Sequence, residues 1–268
     1  MATLVGKVAL VTGASRGVGK GIALGLAEQG ATVFVTGRTV SGGTPPTPLP
    51  GSVQETAAEV TAASGRGVAI ACDHRDDEQT RAAVARVVGD AGRLDVLVNN
   101  VWGGYEYFWD GTEFWREAGF WTAPIERWDA AFQAGVRAHY VTTVAAAPTM
   151  VAAGSGLIVN VSSEGAEKTD TGVAYGAAKA ATDHMIACMA HELRDHGVTA
   201  VSLYPGLVRT ESVLRAAEYI DLTDSESPLF VGRSVASLAA DPQVSRHTGR
   251  VVRTAALAAE YGFTDPGG

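Results

Sequence analysis

The stretch TGASRGVGKGIA, residues 12–23, follows directly from the apolar run KVALVT at 7–12 and places Gly13, Gly17 and Gly19 at G-x-x-x-G-x-G spacing. An apolar run of that length reads as a buried strand, and the small-residue stretch after the turn reads as a helix. The first N–H groups of such a helix have no partner inside it, and they stand at the positive end of its dipole. A pyrophosphate suits that end, and glycine lets the phosphate approach the backbone closely. Gly13, Ser15, Arg16, Gly17, Val18 and Gly19 are therefore candidate phosphate-side residues.

Outward from this turn, apolar β-branched runs alternate with Ala-rich stretches. ATVFVT (31–36), GVAIAC (67–72), LDVLVN (94–99), GLIVNV (156–161) and VTAVSLY (198–204) are expected as buried parallel strands, with GRVVR (249–253) a seventh. Helices are expected at roughly 17–29, 52–63, 76–90, 125–151, 173–195 and 231–240. Such alternation predicts right-handed βαβ crossovers and an α/β fold, a mostly parallel doubly wound sheet flanked by helices. Two segments break the rhythm. Residues 39–51 hold four prolines and three glycines and read as a surface loop. Residues 102–128 contain all five tryptophans. No repeat or linker is visible, so residues 1–268 are expected to form one domain.

Composition narrows the function. A formal charge of −8 disfavours nucleic acid and anionic membrane surfaces, both of which attract basic patches. No run approaches the roughly 18 apolar residues of a membrane span, so a soluble, cytoplasmic protein is expected. Cys72 and Cys188, far apart in apolar stretches, fit neither a zinc site nor a disulfide framework and read as buried thiols. His139, His184 and His191 lack acidic partners at metal spacing, so no metal is expected.

The chemistry is concentrated in GVAYGAAKAATDH, residues 172–184, where Tyr175 and Lys179 stand one helical turn apart. A free phenol, with a pKa of about 10, is a poor base at neutral pH. An ammonium about 4 Å away, at an effective dielectric near 20, contributes about 4 kcal/mol, or roughly three pKa units. The pair thus suits general acid–base work. A neutral donor for a developing alkoxide is offered by Ser162 or Ser163. Alternation along a strand puts these neighbours on opposite faces, so only one can look into the site.

TGASRGVG, the NN pair at 99–100, Tyr175-x-x-x-Lys179 and PGLVRT at 205–210 resemble, in order and interval, the signatures of the short-chain dehydrogenase/reductase family. RLDVLVNN, GLIVNVSSEG, YGAAKAATD and AHELRDHGVTAVSLYPGLVRTE look closest to its subgroup around dehydrogenase/reductase member one. The resemblance implies a Rossmann-like sheet of about seven strands and hydride transfer with a nicotinamide cofactor. It further implies that Asp73 contacts the adenine, Asn99 the ribose, and Val208 with Thr210 the carboxamide side, while Lys179 also bonds the nicotinamide ribose. The family's strand register selects Ser163 and its commonest serine-to-tyrosine spacing selects Ser162. Ser163 is preferred, because strand register is stiffer than the loop after it.

An NAD site commonly places a carboxylate at the end of the second strand, where this chain has VTGR. Arg38 there, with Arg16 in the glycine turn, suits a 2′-phosphate and points to NADP(H). One departure concerns the helix after strand four, where relatives carry an asparagine that holds a water for the lysine; QAGVRAHY puts Gly135 at that place. The turn after strand four also reads NNVW where NNAG is usual.

Residues 102–121 leave strand four at the carboxyl edge of the sheet, where ligands bind. With 211–230 they are the expected substrate-side segments. Trp102, Trp109 and Trp115 are candidate walls for a bulky apolar carbonyl compound. The expected activity is interconversion of a carbonyl and a secondary alcohol. The alternatives are a 3-oxoacyl thioester reductase and a dinucleotide-binding sensor or scaffold without turnover. The resemblance further implies that the small-residue helices at 125–151 and 173–195 pair subunits into a homodimer or homotetramer.

Overall fold

In the computed structural model, which describes residues 3–44, 47–104 and 119–266, every expected strand forms. They are β1 (Val8–Val11), β2 (Thr32–Gly37), β3 (Arg66–Ala71), β4 (Val96–Asn99), β5 (Gly156–Val161), β6 (Val198–Tyr204) and β7 (Val251–Arg253). All pair in parallel in the order β3-β2-β1-β4-β5-β6-β7. The order reverses between β1 and β4, the point at which open parallel sheets bind ligands in a crevice beyond the carboxyl ends of their strands.

Strand alternation sorts the side chains into two apolar layers. Ala9, Val11, Val33, Val98 and Val159 face α1 (Gly17–Glu28), α2 (Val53–Ala62) and α8 (Pro228–Ala240). Leu10, Phe34, Leu97 and Ile158 face α3 (Asp77–Ala91), α5 (Ala138–Ala153) and α6 (Val173–Glu192). Burying one such Leu, Ile or Phe contributes about 1.5–3 kcal/mol relative to leaving it exposed. Polar caps fix where helices begin. Ser52 Oγ accepts from Glu55 N, Asp76 from Glu78 and Gln79 N, and Ser227 from Phe230 N just before Pro228.

Two expectations change. The helix expected over 125–151 divides into α4 (Ile125–Ala131), a π-helical turn (Phe132–Arg137) and α5. Gly135 lies in the widened turn, where glycine weakens helical preference. Cys72 is buried, but Cys188 is exposed. It lies two positions from both Ile186 and Ala190, the buried face of α6, and so turns outward. The loop expected at 39–51 does lie at the surface, and its 48–51 end is tied down: Arg16 donates to the carbonyls of Pro50 (2.8 Å), Gly51 (3.0 Å) and Leu49 (3.3 Å), and Arg215 to that of Pro48 (3.1 Å).

Of the substrate-side segments, 105–118 lies outside the described residues and includes Trp109 and Trp115. Within 211–230 stand α7 (Glu211–Arg215) and a 3-10 turn (Ala217–Tyr219), and the segment closes on the chain after β6 where Val208 bridges Glu226. Among the described residues no helix is long and apolar enough to cross a membrane, and no cluster of His, Cys, Asp and Glu could hold a metal. A short α9 (Thr254–Tyr261) follows β7.

Candidate active site

The glycine turn is shaped by close approach to the end of β4. A Cβ on Gly13 would lie 2.8 Å from Val101 Cα, and one on Gly19 would lie 2.4 Å from Asn100 Nδ2. Asn100 Nδ2 donates to the carbonyls of Thr12 (3.0 Å) and Gly13 (2.9 Å), while its N–H donates to Thr12 Oγ1 (3.0 Å). Of the two asparagines, Asn100 therefore builds the crevice. Asn99, expected at the ribose, is wholly buried. Its amide donates to Thr143 Oγ1 (2.9 Å) and Asn160 Oδ1 (2.8 Å), so its side chain stays inside the sheet.

At the mouth of α1, Gly17 N–H donates to Glu211 Oε2 at 2.9 Å. The helix end thus already holds an anionic oxygen, which shows that it accepts negative charge as a pyrophosphate site must. Thr210 lies against the same turn, its Cγ2 3.3 Å from where a Gly17 Cβ would stand, and its Oγ1 caps α7 by accepting from Val213 N (3.3 Å). Val208 is buried beside it. Ser15 is buried next to Gly37 at the end of β2, and Val18 packs against the core.

The arginines separate. Burial pulls the Arg16 guanidinium down, the Glu211 carboxylate opposes this, and Arg38 adds to the lowering, so both positive charges bear on this corner of the crevice. Arg16 Nε and Nη2 bond the 49–51 carbonyls and Thr39 Oγ1 (3.1 Å). It is foremost a strap for the proline-rich loop. Asp73 is gripped by Arg75, whose Nη2 lies 2.7 Å from Oδ2. Burial works to raise the Asp73 carboxyl, but hydrogen bonds from the Arg75 side chain and backbone prevail, helped by the charges of Arg75 and Arg38, and hold it below its ordinary value.

At the other end of the crevice Tyr175 Oη donates to Ser163 Oγ at 2.8 Å. Ser163 Oγ also accepts from Gly165 N (3.1 Å), which fixes its rotamer. Ser162 points the opposite way and is buried, donating to the Lys179 carbonyl (3.4 Å). Ser163 is thus the serine brought to Tyr175. Lys179 is buried, its Nζ donating to Val161 O (3.2 Å) and lying 5.7 Å from the Tyr175 ring centroid. Burial pushes its ammonium down to about 8, against the attraction of Asp183. Asp183 in turn accepts from Tyr204 Oη.

Trp102, half-buried, meets Tyr175 edge-on with ring centroids 5.4 Å apart at 80°. His139 is buried with Nε2 2.9 Å from Val101 O, and burial together with the charge of Lys179 drives it down to about 3. Its structural role agrees with that placement. Glu211 and Asn100 both bond the glycine turn of the candidate site, and neither was among its expected residues. The NN dipeptide and strand alternation carried a signal for Asn100, because only one of two neighbours can face the crevice. Nothing local signalled Glu211.

The sequence profile described as short chain dehydrogenase matches residues 7–219. The chain is 40% identical to dehydrogenase/reductase SDR family member 1 of Mus musculus over 279 residues, 99% of this chain and 85% of that one. A crystal structure of a short-chain type dehydrogenase/reductase from Mycobacterium marinum superposes with a TM-score of 0.78 at 29% identity, covering 93% of this chain and 94% of that chain. Another, of a metagenomic short-chain oxidoreductase in complex with NADP, gives 0.71 at 30% identity over 94% and 98%. Strand order, glycine turn and full-length likeness agree: the chain belongs to the short chain dehydrogenase family and is an oxidoreductase whose cofactor is a nicotinamide dinucleotide.

Proposed function

We propose that this enzyme interconverts a carbonyl compound and a secondary alcohol with NADP(H), using Ser163, Tyr175 and Lys179. The observation that carries the reading is the Tyr175–Ser163 hydrogen bond of 2.8 Å beside the buried Lys179. The bound dinucleotide supplies or accepts the hydride. In reduction Tyr175 gives its proton to the carbonyl oxygen and Ser163 turns its hydroxyl toward the same oxygen. The Lys179 ammonium stabilises the negative charge left on the phenol oxygen and bonds the ribose. Oxidation runs the proton back to Tyr175. The choice of NADP(H) rests on Arg38 at the end of β2, where no carboxylate stands, and is supported by the NADP held by the metagenomic relative.

Among the described residues Trp102, edge-on to Tyr175, supports a bulky apolar ketone over an acyl thioester as substrate. Exposed Tyr140 and Val144 on α5 and Val173 on α6 favour a homodimer or homotetramer built on those helices. The test is NADPH consumption with a panel of ketones by the wild type and Tyr175→Phe. The wild type turns over steadily, and the variant is slower by about 10²–10⁴ with cofactor binding intact. NADPH binding with no turnover of any ketone or acyl thioester would instead mark a dinucleotide sensor.

A further inference from the structure

Trp102 sits in a place made for it. The backbone just before it is held, because Val101 N–H donates to Thr12 Oγ1 (3.3 Å) and Val101 O meets His139 Nε2 (2.9 Å). Its indole lies where two glycines leave room. A Cβ on Gly135 would stand 2.5 Å from ring carbon Cζ3, and one on Gly104 would stand 2.7 Å from the ring. Gly103 extends the fit, since a Cβ there would lie 2.7 Å from Ala130 O and 2.8 Å from Ala134 Cβ. The π-helical turn over Phe132–Arg137 presents Gly135 to the ring, and such turns recur at functional sites.

Against the face of this ring stands Lys179 Nζ, 4.2 Å from the centroid. An ammonium has three donors and no acceptor. Here Val161 O takes one hydrogen bond and the indole offers its negative face, in a place closed to water, where a cation–π contact is strongest. The same ring meets Tyr175 by its edge. A side chain at 135 and an indole at 102 exclude one another, so the glycine and the tryptophan are two halves of one device.

We propose that Trp102 is a positioning residue: its indole face, admitted by Gly135, fixes the Lys179 ammonium beside Tyr175. This rests on the catalytic reading of Tyr175 and Lys179 given above. The test compares Trp102→Leu, which fills space without a π face, with Trp102→Phe, which keeps one, in ketone reduction at saturating NADPH. Melting temperatures confirm folding.

The leucine variant loses roughly 30-fold in kcat, the rate equivalent of about 2 kcal/mol, while the phenylalanine variant stays within about threefold of wild type. Gly135→Ala, which drives a methyl into the ring, lowers kcat comparably in the wild type and adds nothing in a Trp102→Ala background. Equal activities for the leucine and phenylalanine variants, or full additivity of Gly135→Ala with Trp102→Ala, would overturn the proposal alone. Near-native turnover of Lys179→Met would overturn the catalytic reading and this proposal with it.

Discussion

Glu211→Gln tests the crevice at its most exposed assumption, that the N-terminus of α1 receives the cofactor's pyrophosphate. The carboxylate now accepts the Gly17 N–H at 2.9 Å and also faces the Arg16 guanidinium. A negative charge at a helix N-terminus contributes about 0.3–1 kcal/mol when exposed and up to about 2 kcal/mol when partly buried. Glutamine keeps the length and an acceptor oxygen but removes the charge, so about 1 kcal/mol of stability is lost. For a chain of this size that lowers Tm by about 2–4 °C.

Cofactor binding moves the other way. A pyrophosphate that takes this N–H must first displace the carboxylate, and removing the competing charge tightens Kd by about fivefold, the equivalent of about 1 kcal/mol. The gain shrinks in high salt, because a partly exposed charge is screened. Scanning fluorimetry of the free enzyme and titration of NADPH fluorescence, each at low and high salt, give the two numbers. Opposite signs are required. Should stability and affinity fall together, the carboxylate belongs to the holo site and the displacement argument is refuted.

Arg38→Ala should raise the Michaelis constant for NADPH far more than for NADH, and an equal rise for both would discard Arg38 as the reader of the 2′-phosphate. Arg38 is chosen over Arg16 because the Arg16 donors hold the loop at 49–51. The Lys179 ammonium is held down to about 8 by burial, so the folded protein loses this proton above about pH 8. NADPH affinity and turnover should therefore decline on the alkaline side with an apparent pKa near 8, a limb absent from Lys179→Met. Burial holds His74 down to about 4 and His139 to about 3. Both rings lie below an unfolded value of about 6.5, so the unfolded chain takes up protons that the fold refuses. Stability is then full above about pH 6.5 and falls on acidification toward pH 4, with a slope approaching about 2.7 kcal/mol per pH unit. Urea midpoints between pH 7 and 4 check the sign, and a flat profile would contradict it.

What was legible in the sequence was local. The β1–α1 turn, the period of the strands and the Tyr175–Lys179 spacing are properties of short stretches, and the strands appear within a residue or two of their expected bounds. The site's remaining logic joins residues far apart. Gly17 meets Glu211 across 194 positions and Arg16 meets Pro50 across 34, and no periodicity encodes either. Gly135 was visible as a departure, but its reason, the Trp102 ring, lies on another element. The neighbours Asn99 and Asn100 share one side-chain chemistry, and only the pairing of β4 with β1 and β5 decides which faces inward. Cys188 misled because an apolar composition does not say which face of α6 a residue occupies.

The Asn100 strap also bears on how the molecule assembles. Its hydrogen bonds to Thr12 and Gly13 span 88 and 87 positions, and β1 cannot meet β4 until the intervening chain has been made. Ordering the glycine turn is therefore a non-local event, of the kind that slows folding. It is also a central one, flanked on either side by paired strands, with β3 and β7 at the rims. Fraying at either rim leaves the turn closed, whereas any opening that frees Asn100 has already parted the middle of the sheet. In hydrogen exchange the amides of β1 and β4 should accordingly be among the last to open.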